Sequence, residues 1–129
     1  MAQLLGETTD ANNYSRQMNK VKEGYNRCWN GYAYRHPEYN DCTDDRVQAL
    51  AVVSGIAEQD KYPYIIDLFK KQFYASPYME KYVMEALFVM GEGKYAMERM
   101  QKRFAPMVNH PFYTTLFEGW DIGPNGFGG

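Results

Sequence analysis

Thirteen residues near the end of this 129-residue chain hold most of its candidate chemistry. Asn109-His110-Pro111-Phe112-Tyr113-Thr114-Thr115-Leu116-Phe117-Glu118-Gly119-Trp120-Asp121 brings together two threonine hydroxyls, two carboxylates, an imidazole and four aromatic rings. Glu118 stands between Phe117 and Trp120. A carboxylate beside aromatic walls suits acid/base work, because partial desolvation raises its pKa toward neutrality. The Trp120 indole beside it suits the apolar face of a sugar ring. The plainer alternative is an acid paired with an arginine, among aromatics that plug a helical core. Pro111, Gly119 and the tail Gly123-Pro124-Asn125-Gly126-Phe127-Gly128-Gly129 argue against a long helix, so residues 106–129 read as a loop held by aromatic packing.

Helices must position that loop, and the hydrophobic periodicity predicts five of them. Tyr14, Met18, Val21, Tyr25 and Cys28 recur at steps of four and three, one face of an amphipathic helix over about 10–29 that packs on one side. Thr9 or Asp10 can cap it. Thr43 is placed to cap a second helix, 44–58, with Asp44 and Asp45 as favourable charges in its first turn. Its body, Val47 to Ala57, is apolar nearly all round and predicts burial on most sides. Pro63 opens a third helix, 63–74, with Ile65, Leu68, Phe69 and Phe73 inward. Ser76-Pro77 opens a fourth, 77–90, again apolar almost all round and stopped by Gly91. Glu80 and Glu85 read as ion-paired acids, and Glu85 is expected to need a buried partner. A fifth helix, 94–105, turns Ala96, Met97, Met100 and Phe104 inward and Arg99, Lys102 and Arg103 outward. One-sided and buried helices thus alternate in antiparallel hairpins, an all-α two-layer array.

Composition narrows the function classes. The length fits one domain or part of one. Net charge is -2 and the basic residues are dispersed, which recommends neither a nucleic acid nor an anionic membrane as partner. Aromatics reach 16%, with twelve tyrosines, enough for a carbohydrate-facing surface or a tyrosine-rich core. Cys28 and Cys42, fourteen positions apart, allow one bridge, but two free, buried thiols are the plainer reading. His36 and His110 are the only histidines, and no metal-ligand spacing exists; no metal or other cofactor is expected. No signal peptide is read at the N-terminus and no apolar run is long enough to span a bilayer. Gly91-Glu92-Gly93-Lys94 is too short for a phosphate loop and lacks the following Ser/Thr.

Three stretches together carry a resemblance: Asp44-Asp45-Arg46-Val47-Gln48-Ala49-Leu50-Ala51, Ser76-Pro77-Tyr78-Met79-Glu80-Lys81-Tyr82-Val83-Met84-Glu85-Ala86-Leu87, and Tyr113-Thr114-Thr115-Leu116-Phe117-Glu118-Gly119-Trp120. In order and spacing the chain resembles the C-terminal part of the catalytic domain of bacterial α-L-rhamnosidase-like glycoside hydrolases, the six-hairpin glycosidases. The resemblance implies a partial (α/α)6 toroid of alternating inner and outer helices, with the active site at the N-terminal ends of the inner ones. It places Thr43–Arg46, Ser76–Tyr78 and the 109–121 loop on one rim. It makes Glu118 the general base of an inverting hydrolysis and Trp120 a sugar-stacking wall, with Tyr113, His110 and Tyr78 as substrate contacts. His110, ahead of Pro111, reads more plainly as a loop residue than as a base. The family more often has Trp where this chain has Phe117.

A full toroid has twelve helices, so the chain is expected to be a fragment whose general acid lies upstream, inactive alone. A bacterial parent enzyme is implied. Apolar faces that a complete ring would cover are expected to drive self-association. The alternative function is a helical-repeat binding module without chemistry.

Overall fold

The computed structural model describes residues 1–123, 126 and 127, with side chains as far as Asp121. Its helices are α1 (Thr8–Asn26), α2 (Asp45–Val53), α3 (Tyr62–Lys71), α4 (Pro77–Val89) and α5 (Gly93–Val108). The fold is all-α; the one sheet among the described residues is the short antiparallel pairing of Ile122–Gly123 with Gly126–Phe127. The loop expected at Pro124, Asn125, Gly128 and Gly129 lies outside the described residues. Among the described residues no helix is long and apolar enough to cross a membrane.

Local chemistry sets the helix ends. Asp44, rather than Thr43, caps α2: its Oδ1 accepts the Arg46 amide at 2.7 Å. The helix stops at Val53, short of the expected residue 58, because Gly55 takes φ +71° and the Ile56 and Ala57 amides fold back onto the Ala51 carbonyl. Ser76 caps α4 ahead of Pro77, and Gly91 ends it at φ +83°, both as the sequence predicts. α5 runs three residues past the expected end and carries Pro106 within it. The Asn109 amide still bonds the Ala105 carbonyl, so the last turn closes in spite of the missing proline donor. α1 ends at Asn26, and Cys28 falls in the following turn.

α2 packs most extensively on α4, and α4 on α5. Ala49, Val52, Ile65, Leu68, Phe69, Val83, Ala86, Leu87 and Ala96 form the centre of the core. Each large aliphatic side chain buried there contributes about 1.5–3 kcal/mol. α2 and α4 are less enclosed than their composition predicts: Leu50, Phe88 and Val89 are exposed. α1 has no fully buried residue, and of its stripe Tyr14, Met18 and Val21 are exposed while Tyr25 packs against the core, 5.1 Å from the Tyr34 ring centre. Its last turn is anchored: Asn26 Nδ2 donates to the Ile56 carbonyl at 3.2 Å and the Tyr34 hydroxyl donates to Asn26 Oδ1 at 2.8 Å.

Charges, not only apolar side chains, close the core. Arg99 was expected to face outward; its side chain is buried. Nε donates to Glu80 Oε1 at 2.5 Å, Nη2 to Asp45 Oδ2 at 2.9 Å and to Glu80 Oε2 at 3.1 Å. Nη1 donates to the Phe69 and Gln72 carbonyls at 2.5 and 3.2 Å. All five guanidinium hydrogens are therefore engaged. Arg103, also expected outside, adds Glu80 Oε2 at 2.5 Å and the Phe73 and Ala75 carbonyls at 3.1 and 3.2 Å. The acidic first turns of α2 and α4 meet the carbonyl end of α3 at one cation, which makes α2–α3–α4 an up-down-up arrangement and matches each helix dipole. Glu80 is thus the buried acid, while Glu85 is solvent-exposed and needs no buried cation. The missed signal was a second stripe, Ala96, Arg99, Arg103 and Met107 at steps of three and four, beside the one assigned inward.

Two predictions follow from this core. Arg99→Met strands the buried Asp45 carboxylate and leaves Glu80 with Arg103 alone; it is expected to cost about 3–5 kcal/mol in urea unfolding, whereas adding Asp45→Asn and Glu80→Gln to it recovers part of the loss. The second concerns Tyr34, which is buried and has its pKa raised from 10.0 to about 12, chiefly by desolvation and then by Glu58 and Asp60. Above pH 10 the unfolded chain releases this proton while the folded chain keeps it, so stability falls as pH rises from about 10 to about 12. Tyr34→Phe is expected to remove that part of the alkaline slope, read from denaturant midpoints across the range.

Candidate functional site

The segment after α5 is built as a strap fastened at both ends. At its start, His110 Nδ1 accepts the Phe112 and Tyr113 amides, each at 3.2 Å. The imidazole therefore carries its proton on Nε2 when neutral. Its ring lies 4.8 Å from Tyr113 and 5.4 Å from Phe117, centroid to centroid. Phe117 is buried, and its amide meets the Met107 sulfur at 3.5 Å. At the far end, Trp120 Nε1 donates to the Ala75 carbonyl at 2.7 Å. The indole packs edge-on to Phe104 at 5.1 Å, and the Arg103 guanidinium sits 4.0 Å from its ring centre. Ala75 directly precedes the Ser76 cap, so the strap is tied to the N-terminal end of α4.

Glu118 lies between these anchors but is exposed, not desolvated against aromatic walls as its neighbours in sequence predicted. Phe117 turns into the protein and Trp120 toward Ala75, which leaves the intervening carboxylate in solvent. Glu118 and the exposed Tyr78 line the same groove, about 1030 Å³ in volume. Its floor is apolar: Met84 of α4, Met100, Phe104 and Val108 of α5, and Leu116 of the strap. Lys81 extends along it, 4.9 Å from the Tyr78 ring centre and 4.6 Å from that of Tyr82. His110, Tyr113 and Trp120 do not line this groove. Of the five expected site residues, the structure brings Tyr78 and Glu118 together, groups His110 with Tyr113, and packs Trp120 against α5.

The acids near the helix N-termini are committed elsewhere. Asp44 chelates the Arg46 guanidinium. Burial pushes its carboxyl up, but the Arg46 hydrogen bonds and charge outweigh that and hold it below the usual range. Asp45 is buried, and its Oδ1 has no hydrogen-bond partner among the described residues. Desolvation raises its pKa more than Arg99 lowers it. Burial opposes the Arg99 charge, yet Glu80 and Asp45 keep the guanidinium pKa above its ordinary value.

A second cavity, about 590 Å³, opens beside the N-terminal end of α2 and is lined by Cys28, Tyr34, His36, Tyr39, Cys42 and Asp44 among others. Both thiols are free; Cys28 is half-buried and Cys42 exposed, so the expectation of two buried thiols fails for Cys42, which sits in the open 35–43 connection. Among the described residues no three His, Cys, Asp or Glu side chains converge as a metal site. The chain matches no protein-family model, no curated protein and no solved structure.

Trp120→Phe keeps the ring contacts with Phe104 and Arg103 but removes the bond to Ala75. We expect a loss of about 1 kcal/mol, with faster amide hydrogen exchange confined to the strap and residues 73–76.

Proposed function

We propose that the chain forms the general-base side of an inverting glycoside hydrolase site, on part of a six-hairpin helical ring. One observation carries the reading beyond the motifs. The N-terminal ends of α2 and α4 and the Glu118 strap share one end of the helix stack, joined through Arg99, Ala75 and Trp120. That is the rim where such a ring would hold its substrate. There Glu118, open to solvent and held between two anchored neighbours, can take a proton from a water. The water oxygen bonds to the anomeric carbon as the bond to the leaving oxygen breaks on the opposite face. The leaving oxygen takes its proton from a second carboxylic acid, roughly 6.5–9.5 Å across the sugar from the base. Asp45 and Glu80 cannot be that acid, because both are buried on Arg99. Asp44 is held ionised by Arg46. The apolar floor of the groove offers no partners for sugar hydroxyls, so the ring would sit at its mouth, beside Glu118 and Tyr78.

A glycosyl fluoride separates the base from the acid, since fluoride departs without a proton donor. With α-L-rhamnosyl fluoride the chain is expected to release fluoride slowly and give the inverted β-sugar as first product by NMR. Aryl α-L-rhamnosides, which need the acid, stay intact. Glu118→Gln should lower fluoride release by about 10²-fold or more. Release no faster than in buffer, or release that survives Glu118→Gln, would sink the proposal. The second reading, a binding module without chemistry, is favoured by Arg103 already covering the Trp120 ring. It predicts glycan binding with no turnover of the fluoride.

A further inference from the structure

We infer that Cys28 and Cys42 form a reversible intramolecular disulfide, a redox-sensitive clasp that ties the end of α1 to the segment leading into α2. This inference is independent of the carbohydrate reading. Both thiols are free, and both line the cavity of about 590 Å³ beside the N-terminal end of α2. Hydrogen bonds draw the two ends of the connection together. The Cys28 carbonyl accepts the Arg35 amide at 2.9 Å, next to the antiparallel bridge of Trp29 with Tyr34. Gln48 then grips Tyr34: its Oε1 accepts the Tyr34 amide at 2.8 Å and its Nε2 donates to the Tyr34 carbonyl at 2.9 Å. The same Nε2 donates to the Asp44 carbonyl at 3.3 Å. One buried side chain thus holds the segment paired with Cys28 against the residue two positions after Cys42.

The two cysteines differ in how firmly they are held. Cys28 is half-buried; its amide donates to the Tyr25 carbonyl at 2.9 Å and its Sγ to the Gly24 carbonyl at 3.9 Å. Cys42 ends a run of exposed residues, 38–42. Its amide donates to Asp41 Oδ1 at 2.7 Å and its side chain meets the exposed Tyr74 hydroxyl, and neither partner lies in a helix. A disulfide sets its Cα atoms about 4.4–6.8 Å apart, and two residues of chain reach about 7 Å. Closure therefore requires a swing of residues 42 and 43 about the Asp44 cap, which breaks the solvent contact with Tyr74 and no helix hydrogen bond.

The chemistry is thiol–disulfide exchange with a small disulfide such as oxidised glutathione. The exposed Cys42 thiolate attacks one glutathione sulfur. A Cys42–glutathione bond forms, the glutathione S–S bond breaks and one glutathione thiolate leaves. The Cys28 thiolate then attacks Cys42 Sγ and expels the second. The two cysteines are oxidised, the glutathione disulfide is reduced, and the two thiol protons pass to the departing thiolates. Closed, the bridge crosses the cavity that both sulfurs line and gives α1 a covalent hold beside its Asn26 bonds.

The test is a redox equilibrium of the whole chain in glutathione buffers of stepped composition, quenched with acid and read by mass spectrometry. The expected product is a monomer two hydrogens lighter than the reduced chain. The titration also gives the effective concentration of one thiol at the other. By linkage, its ratio between native buffer and concentrated urea is the factor by which the bridge favours the folded state. For an unstrained loop of this length that ratio is expected to be about 10²-fold. Cys28→Ser is expected to stop at the glutathione adduct on Cys42. An effective concentration no higher in native buffer than in urea would show that the fold holds the thiols apart, and would overturn the inference. So would a disulfide-linked dimer, or a Cys42 adduct that persists in the wild-type chain.

Discussion

One guanidinium with five engaged hydrogens decides how the helices of this chain stand. Arg99 joins the first turns of α2 and α4, the last turn of α3 and the connection that follows it. A planar fork cannot satisfy two carboxylates and two carbonyls in more than a narrow range of geometries. It thereby specifies which helix ends meet, something the apolar core alone does loosely. The arrangement is not cheap in free energy. Burial of three charges has a desolvation penalty, and Asp45 Oδ1 is left without a donor. The upward shift of the Asp45 carboxyl is the same fact seen in its titration. The network contributes orientation more than net stability.

Orientation is also what the candidate site requires. Glu118 is exposed, and an exposed glutamate ordinarily samples many rotamers at little cost. Here its backbone is fixed from both sides: Phe117 is buried beside His110, and Trp120 is bonded to Ala75 beneath Arg103. Arg103 in turn shares Glu80 with Arg99, so the strap and the helix ends are parts of one hydrogen-bonded system. These anchors fix where the Glu118 backbone stands while its carboxylate stays in solvent, a different setting from the aromatic burial that its neighbours in sequence imply.

The sequence made some of this legible and hid the rest for definable reasons. Caps and stops could be read because they are local: Ser76-Pro77 and Gly91 act within a few residues of themselves. The all-α class was visible in the periodicity; the expected alternation of one-sided and buried helices was not met, since α1 buries no residue and α2 and α4 leave Leu50, Phe88 and Val89 exposed. Arg99 was misread because residue type was weighed above helical phase; it lies three positions after Ala96, on the buried side. Glu118 was misread because adjacency in sequence was taken for adjacency in space. In an irregular segment Phe117 and Trp120 turn to different partners and leave the residue between them in water. Asp44 and Asp45 look alike in the chain, yet one chelates Arg46 in solvent and the other lies in the core. That distinction depends on Arg99, more than fifty residues away, and no local pattern encodes it.

The distribution of polar and apolar surface follows from the same constraint. The charged network is concentrated at the N-terminal ends of α2 and α4, where carboxylates gain from the helix dipoles and from Arg99 together. Leu50, Phe88 and Val89 remain in solvent, and the α4/α5 groove is lined by methionines and aromatics. Methionine fills such irregular surfaces, because its unbranched side chain adapts to the shape it meets. Hydrogen bonds that tolerate little displacement hold the N-terminal ends of α2 and α4, and the apolar groove begins at that same end, at Pro77, Tyr78 and Glu118.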